Sequence, residues 1–263
     1  TSFGETGDYG EWKPIEVTGM TYGTNGFYLD FKVAGTGTTG AGKDVSGEGN
    51  HWSTSGIAST DQMLDSPTNN FCTWNPVAKS YTTLVYSEGS LACHGDVSSY
   101  GNAIGTFGAG TGKWYWEYSI TGASQEVGII SSTVNLTQAN AQNAGGIIYM
   151  GSGSKRIDGT TTSYGASYTT GDVVGVALDS DSGTITFYKN NSSQGAITIT
   201  GECSGNVVHP TFAYYYSADE YVNFGQDSSF AGNKTAQGNA DDNGIGDFYY
   251  APPTGFLALC TQN

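Results

Sequence analysis

Positive charge is scarce in this sequence: nine Lys and Arg stand against 24 Asp and Glu, for a formal charge of −15. Such a surface repels a phosphate backbone, which excludes nucleic acid as a partner. Acidity at low charge density suits a protein that stays soluble outside a cell or on a particle. No run of about 18 apolar residues occurs, so membrane insertion through a helix is not expected. Cysteine is sparse. Cys72, Cys93, Cys203 and Cys260 lie far apart, with neither CxxC nor Cys/His metal spacing, and read as buried small hydrophobes, a disulfide being the alternative. The three histidines, His51, His94 and His209, are scattered, and neither a Gly-x-Ser-x-Gly elbow nor a His-Glu-x-x-His helix accompanies them. The Gly-rich stretch 105–112 lacks the Lys-Ser/Thr of a phosphate loop. The chain starts without Met or a signal-like segment and reads as a processed or trimmed product.

Glycine and tyrosine are abundant, with 40 Gly and 18 Tyr among many Ser, Thr and Asn, and this favours short strands and frequent turns over helices. At 263 residues the chain fits one large all-β domain or a domain with an appended segment. A body of about 150–200 residues buries roughly 70% of its extended surface, enough for a core without metal or disulfide staples.

The most informative stretch is 171–195, GDVVGVALDSDSGTITFYKNNSSQG. Val174, Val176 and Leu178 share one face, while Val173, Gly175 and Ala177 share the other, so the strand lies inside a sheet. Asp179-Ser180-Asp181-Ser182-Gly183 supplies turn residues, and Ile185 and Phe187 alternate with Thr184, Thr186 and Tyr188 on the return. A second turn follows at Asn190-Asn191, where Asn tolerates a left-handed backbone. Around this hairpin, 113–120 reads as a strand with Trp114, Trp116, Tyr118 and Ile120 on one face, as core residues rather than a sugar platform. Residues 84–94 read as a hairpin turning at Glu88-Gly89, 211–216 as a strand leading to an exposed loop at 217–220, and the C-terminal GFLALC as a last, returning strand. The first 25 residues read as an arm, 26–32 as a strand with Phe27, Leu29 and Phe31 on one face, and 35–42 as a flexible loop. The one short helix expected spans 134–144.

The 171–195 hairpin resembles the central signature of the SPRY domain, a β-sandwich recognition module. Residues 112–120, GKWYWEYSI, are similar to its aromatic strand, and Glu126-Val127-Gly128-Ile129 to its VGV strand. Val208-His209-Pro210 and Val222-Asn223-Phe224-Gly225 match later elements in the family's order, so the likeness covers about residues 86 to 226. Residues 44–76 and 232–260 carry phrases that resemble structural or tail-associated proteins of marine bacteriophages bearing SPRY or concanavalin-like sandwiches. That resemblance implies a virion component, made in the host cytoplasm and carried on the extracellular particle.

Sandwiches of this shape include glycan hydrolases, which need two carboxyls about 5 Å apart for retaining chemistry. No Glu-x-Asp-x-x-Glu triplet occurs. Glu117 has no acidic residue two positions away and reads as a surface or hydrogen-bonded strand residue, so no catalytic residue is assigned. Calcium is the one cofactor considered, at Asp179 with Asp181 or at Asp241, Asp242, Asn243 and Asp247, although neither cluster has the helix-flanked loop of the common calcium motif and each also reads as a polar turn. For ligand contact, Tyr214, Tyr215, Tyr216, Asp219, Glu220 and Tyr221 form the richest mixture of aromatic and carboxylate groups; their alternative is alternation into the core plus a solvated turn. His51 and Trp52 are a second candidate, or a segment that packs on a sheet edge.

These readings combine into an all-β protein, an antiparallel β-sandwich of SPRY or concanavalin A-like jelly-roll type. Residues 1–67 form an arm whose strand near 26–32 joins or caps the sandwich, and 68–263 form the sandwich. The expected function is a non-enzymatic virion protein of a phage tail or fibre that recognises a host surface, glycan foremost, with other virion proteins as neighbours and a homo-oligomeric assembly. A purely structural decoration or fibre-building module is the alternative, and a glycan-cleaving enzyme a remote one.

Overall fold

The computed structural model describes residues 4–6, 12–15, 18–33, 35–57, 63–66, 69–78, 84–95, 101–122, 124–135, 145–214 and 219–263. Its contacts divide into two units, Thr1–Thr68 and Asn69–Asn263. In the first, β1 (Gly4–Thr6) pairs antiparallel with β2 (Trp12–Pro14). In the second, the strands are β3 (Val85–Ser87), β4 (Ala92–His94), β5 (Gly101–Ile104), β6 (Lys113–Ser119), β7 (Glu126–Ser131), β8 (Gly146–Met150) and β9 (Ser154–Ile157). They continue as β10 (Thr160–Ser163), β11 (Val173–Asp179), β12 (Thr184–Lys189), β13 (Ser192–Thr198), β14 (Val208–Tyr214), β15 (Asp219–Asn223) and β16 (Leu257–Ala258).

One sheet runs β10-β9-β8-β7-β14-β5 and the other β13-β12-β11-β6-β15-β4-β3. All these neighbours are antiparallel; β16 alone is parallel, pairing with β6 at Trp114 and Tyr115, the part of its edge that β15 leaves open. The sheets face each other. Tyr118 on β6 donates its hydroxyl to the Thr211 carbonyl on β14, and the rings of Tyr149 on β8 and Phe187 on β12 lie 5.3 Å apart. Trp116, Tyr118, Val174, Val176 and Phe187 are fully buried between them. Each large apolar side chain placed there stabilises the fold by roughly 1.5–3 kcal/mol.

β11 is buried along its whole length because β6 and β12 flank it and both its faces are covered. The cover on the outer face is a second apolar cluster of Phe71, Tyr115, Ala177, Phe248, Ala258 and Cys260. That cluster explains Gly175: a Cβ there would meet the Tyr115 hydroxyl at 2.5 Å. The turn into β12 is closed by the Ser182 N–H on Asp179 Oδ1, and in the turn after β12 Asn190 and Asn191 are both left-handed, at φ 46 and 65. The β3–β4 hairpin turns through a 3-10 turn at Glu88–Ser90, as its sequence suggested. All four cysteines are free, buried thiols, and burial pushes Cys72 and Cys203 up to about 12.

Three local expectations fare differently. Residues 26–32 form no strand: Tyr28 donates its N–H to the Asp44 carboxylate and accepts Val45 N–H at its carbonyl, and Phe31 turns the chain at φ 55. Residues 35–42 are not an open loop but a turn tied by Ala41 N–H to Gly35 O and Gly42 N–H to Gly37 O. The helix expected over 134–144 falls mainly on 136–144, outside the described residues.

Gly175→Ala is expected to cost about 1–3 kcal/mol through overpacking against Tyr115. Tyr115→Phe, by removing the colliding hydroxyl, should recover part of that loss, and thermal melts of the two single variants and the double variant would show it. Equal costs of Gly175→Ala in both backgrounds would refute this packing account.

Candidate functional site

Glu117 sits at the middle of β6 on the outer face and is completely buried. Of the two places its sequence suggests, surface or hydrogen-bonded strand position, it occupies the second. Tyr249 and Tyr250 donate consecutive backbone N–H groups to its two carboxylate oxygens, each at 2.8 Å. Tyr115 Oη–H adds a bond at 3.1 Å and Asn223 Nδ2–H a longer one at 3.4 Å. Burial is the largest influence on this group and pushes it up to about 7, against the lowering effect of these donors. The carboxyl is therefore a clasp that fastens the C-terminal cover to the sheet, and its oxygens are occupied by the chain itself.

Asp241 ties the C-terminal segment to itself. Its Oδ1 accepts the N–H groups of Asn243 and Ile245, and its Oδ2 accepts Ala258 N–H and Asn263 Nδ2–H. Asp242 Oδ2 accepts Gly255 N–H, Asn243 Nδ2–H reaches Asn263, and Asp247 Oδ1 is buried without a partner. Asp179 pairs with Lys113 Nζ at 2.9 Å, while Asp181 accepts Gly112 N–H. Oxygens already facing N–H donors do not suit calcium, which needs several of them free and convergent. Among the described residues no group of three His, Cys, Asp or Glu is arranged to hold a metal.

The tyrosine-rich candidate is divided by the structure. Tyr215 and Tyr216 lie outside the described residues, and of Tyr214 only the backbone is described. Asp219 is exposed and accepts or shares a hydrogen bond with His94 Nδ1 at 2.8 Å across the β15–β4 pair. Tyr221 is half-buried. Glu220, expected at a ligand-binding loop, is instead fully buried with no hydrogen-bond partner on either oxygen, and burial pushes it well above the usual carboxylate range. The reason is register: β15 begins at Asp219, so alternation turns Glu220 away from the exposed side that Asp219 occupies. The shared parity of Glu220 and Val222 was the available signal.

The Thr1–Thr68 unit is built around another carboxylate. Asp44 accepts hydrogen bonds from Tyr28 N, Ser46 N, Ser46 Oγ and Asn50 N, at 2.8–2.9 Å. Burial works against this charge, but those donors outweigh it and hold the carboxyl well below its usual range. Asp44 N–H in turn donates to His51 Nδ1 at 3.0 Å, and Asn50 Nδ2 bonds the carbonyls of Thr24 and Gly26. His51 holds the loop through Nδ1 while remaining exposed, and Trp52 beside it is 51% exposed with Phe27 packed 5.0 Å from its ring. Beside it lies a groove of about 510 Å³, lined by Leu29, Phe31, Trp52 and Ile57 with Ser53 and Ser55. Phe31, expected on one face of a 26–32 strand with Phe27 and Leu29, and Ile57, for which the sequence carries no periodic signal, are the groove residues that the sequence does not single out.

The SPRY domain family model matches residues 113–227, from the first residue of β6 to just beyond β15. This sandwich is SPRY-like. The SPRY domain of human HERC1 aligns with a TM-score of 0.48 at 18% identity, covering 57% of this chain and 96% of that one. Stonustoxin aligns at 0.47 and 19% identity, covering 58% and 27%, and the TRIM65 PSpry domain at 0.47 and 16%, covering 58% and 92%. No curated protein matches the chain. The C-terminal cover fastened by Glu117 and Asp241 lies beyond the SPRY match, as does the Thr1–Thr68 unit.

A carboxyl raised from 4.5 to about 7 in the folded state makes folding favourable at low pH and less so as pH rises through 7, by about 3 kcal/mol in all. The thermal midpoint should therefore fall between about pH 5 and 8, and less steeply in Glu117→Gln; identical slopes would remove Glu117 from the account. Chelator followed by added calcium should leave the midpoint unchanged, and a rise on calcium addition would show that the Asp241 turn opens to a cation.

Proposed function

We propose that this protein is a non-enzymatic bacteriophage virion component, in the tail or a fibre, that recognises a host-cell surface, with glycan as the first ligand. The observation that carries this reading is the exposure of Trp52 and Phe31, 51% and 64%, on a concave groove held by a hydrogen-bonded loop. Recognition sites combine such apolar walls with a few polar groups on a rigid frame. SPRY domains are typically protein-interaction modules, which supports binding over chemistry and agrees with protein neighbours in the particle. The non-enzymatic reading takes account of Glu117 and Glu220, which are buried rather than presented as an accessible carboxylate pair.

The decoration reading draws on a separate observation: Trp12 and Leu64 are also exposed, 65% and 49%, and suit contact with a neighbouring virion protein or a second copy. Location separates the two. Immunogold electron microscopy of purified particles, with an antibody to the folded protein, is expected to label tail tips or fibres. Label spread over the capsid would replace recognition by decoration, and unlabelled particles would end the virion assignment.

A further inference from the structure

Resting on the recognition reading, we infer that the Thr1–Thr68 groove binds a neutral hexose ring, with Trp52 as the stacking wall and the Ser53–Ser55 hydroxyls as its polar rim. Four observations point to that occupant. The first is size: about 510 Å³ falls within the roughly 300–1,000 Å³ of small-ligand sites, whereas a globular partner needs a flat face of about 800 Å². The second is charge: none of the lining residues is ionisable, in a chain of net charge −15. Among the described residues no cation lines the groove, Lys32 and Lys43 being only chain neighbours of Phe31 and Gly42, so an anionic sugar gains no lining charge against the negative surface and a neutral ring is favoured.

The third is chemistry. Leu29, Phe31, Trp52 and Ile57 supply an apolar wall suited to the C–H face of a pyranose, while consecutive Ser53, Thr54 and Ser55 put hydroxyls beside it. Thr54 Oγ1 already accepts Gly37 N–H at 2.7 Å, which ties that row to the turn at the groove floor. The fourth is preorganisation. Trp52 N–H bonds the Gly42 carbonyl at 2.8 Å, and the two backbones are so close that a Cβ on Gly42 would lie 1.9 Å from Trp52 O. Phe27 buttresses the indole from the side. A wall fixed before binding loses little conformational freedom when the ligand arrives.

The test uses the whole chain and ligand-observed NMR with maltohexaose as the neutral probe and oligogalacturonate as the anionic one, alongside binding to intact host cells. Maltohexaose should bind, oligogalacturonate should not, and Trp52→Ala should weaken maltohexaose binding by about tenfold or more while Trp52→Phe, which keeps a ring, recovers most of it. Circular dichroism and thermal midpoints establish that each variant is folded. Folded Trp52→Ala that binds sugar and cells normally overturns the groove and leaves the recognition reading standing. Preference for the anionic probe, or displacement of maltohexaose by an apolar peptide that binds more tightly, overturns the ligand class. Cell binding that is lost in Trp52→Ala without binding of either sugar overturns the hexose and retains the groove, while a protein that binds neither cells nor sugars fails the recognition reading itself.

Discussion

The sandwich depends on a carboxylate placed where solvent cannot reach it. Glu117 lies in the centre of a sheet face that would otherwise be open, and burying an anion there is costly unless donors converge on it. The chain supplies them from Tyr249 and Tyr250, more than a hundred residues away, and so draws the C-terminal segment over the sheet. Once that segment is in place, Phe248 packs on Tyr115, Ala258 and Cys260 complete the outer cluster, and Gly175 becomes the residue that makes room. The SPRY-like hairpin at 171–195 thus has two covered faces for two different reasons: one faces the opposing sheet, the other faces its own C-terminus.

The same device recurs. Asp44 organises the loop beneath Trp52, and Asp241 closes the turn that precedes β16, each by collecting N–H donors from neighbouring backbone. In a chain so rich in Asp and so poor in Lys and Arg, most carboxylates cannot find a cation. Backbone N–H groups take that place, and the many glycine-containing turns expose enough of them. Asp241 and Asp242, which looked like members of a ligand set in the linear sequence, direct their oxygens to N–H donors of the chain.

This division of labour assigns rigidity and recognition to different places. Glu117 and Glu220 are enclosed, while among the described residues the exposed Trp and Phe side chains, Trp12, Phe27, Phe31 and Trp52, lie in the Thr1–Thr68 unit. Trp114, Trp116 and Tyr118, the most conspicuous aromatics in the sequence, belong to the SPRY-like core or its margin. The less conspicuous Trp52 is half exposed, on a backbone fixed to Gly42 and with its ring flanked by Phe27.

Local sequence was sufficient wherever periodicity and turn chemistry acted alone. Alternation on both faces of β11, the two turns of the 171–195 hairpin and the β3–β4 turn followed from residue types, since side-chain parity and left-handed Asn or Gly are properties of a few adjacent residues. Alternation also showed that Trp116 and Tyr118 share a face, and it could have turned Glu220 inward had the first residue of β15 been known. What only the tertiary structure decided were the long-range partners. Nothing near Glu117 announces Tyr249 and Tyr250, and nothing in the apolar pattern of 26–32 shows that Asp44 will take the backbone of Tyr28. A hydrogen-bond donor acts over about 3 Å of space without regard to separation along the chain, so such clasps, and the groove that one of them shapes, come into being only when the chain has folded.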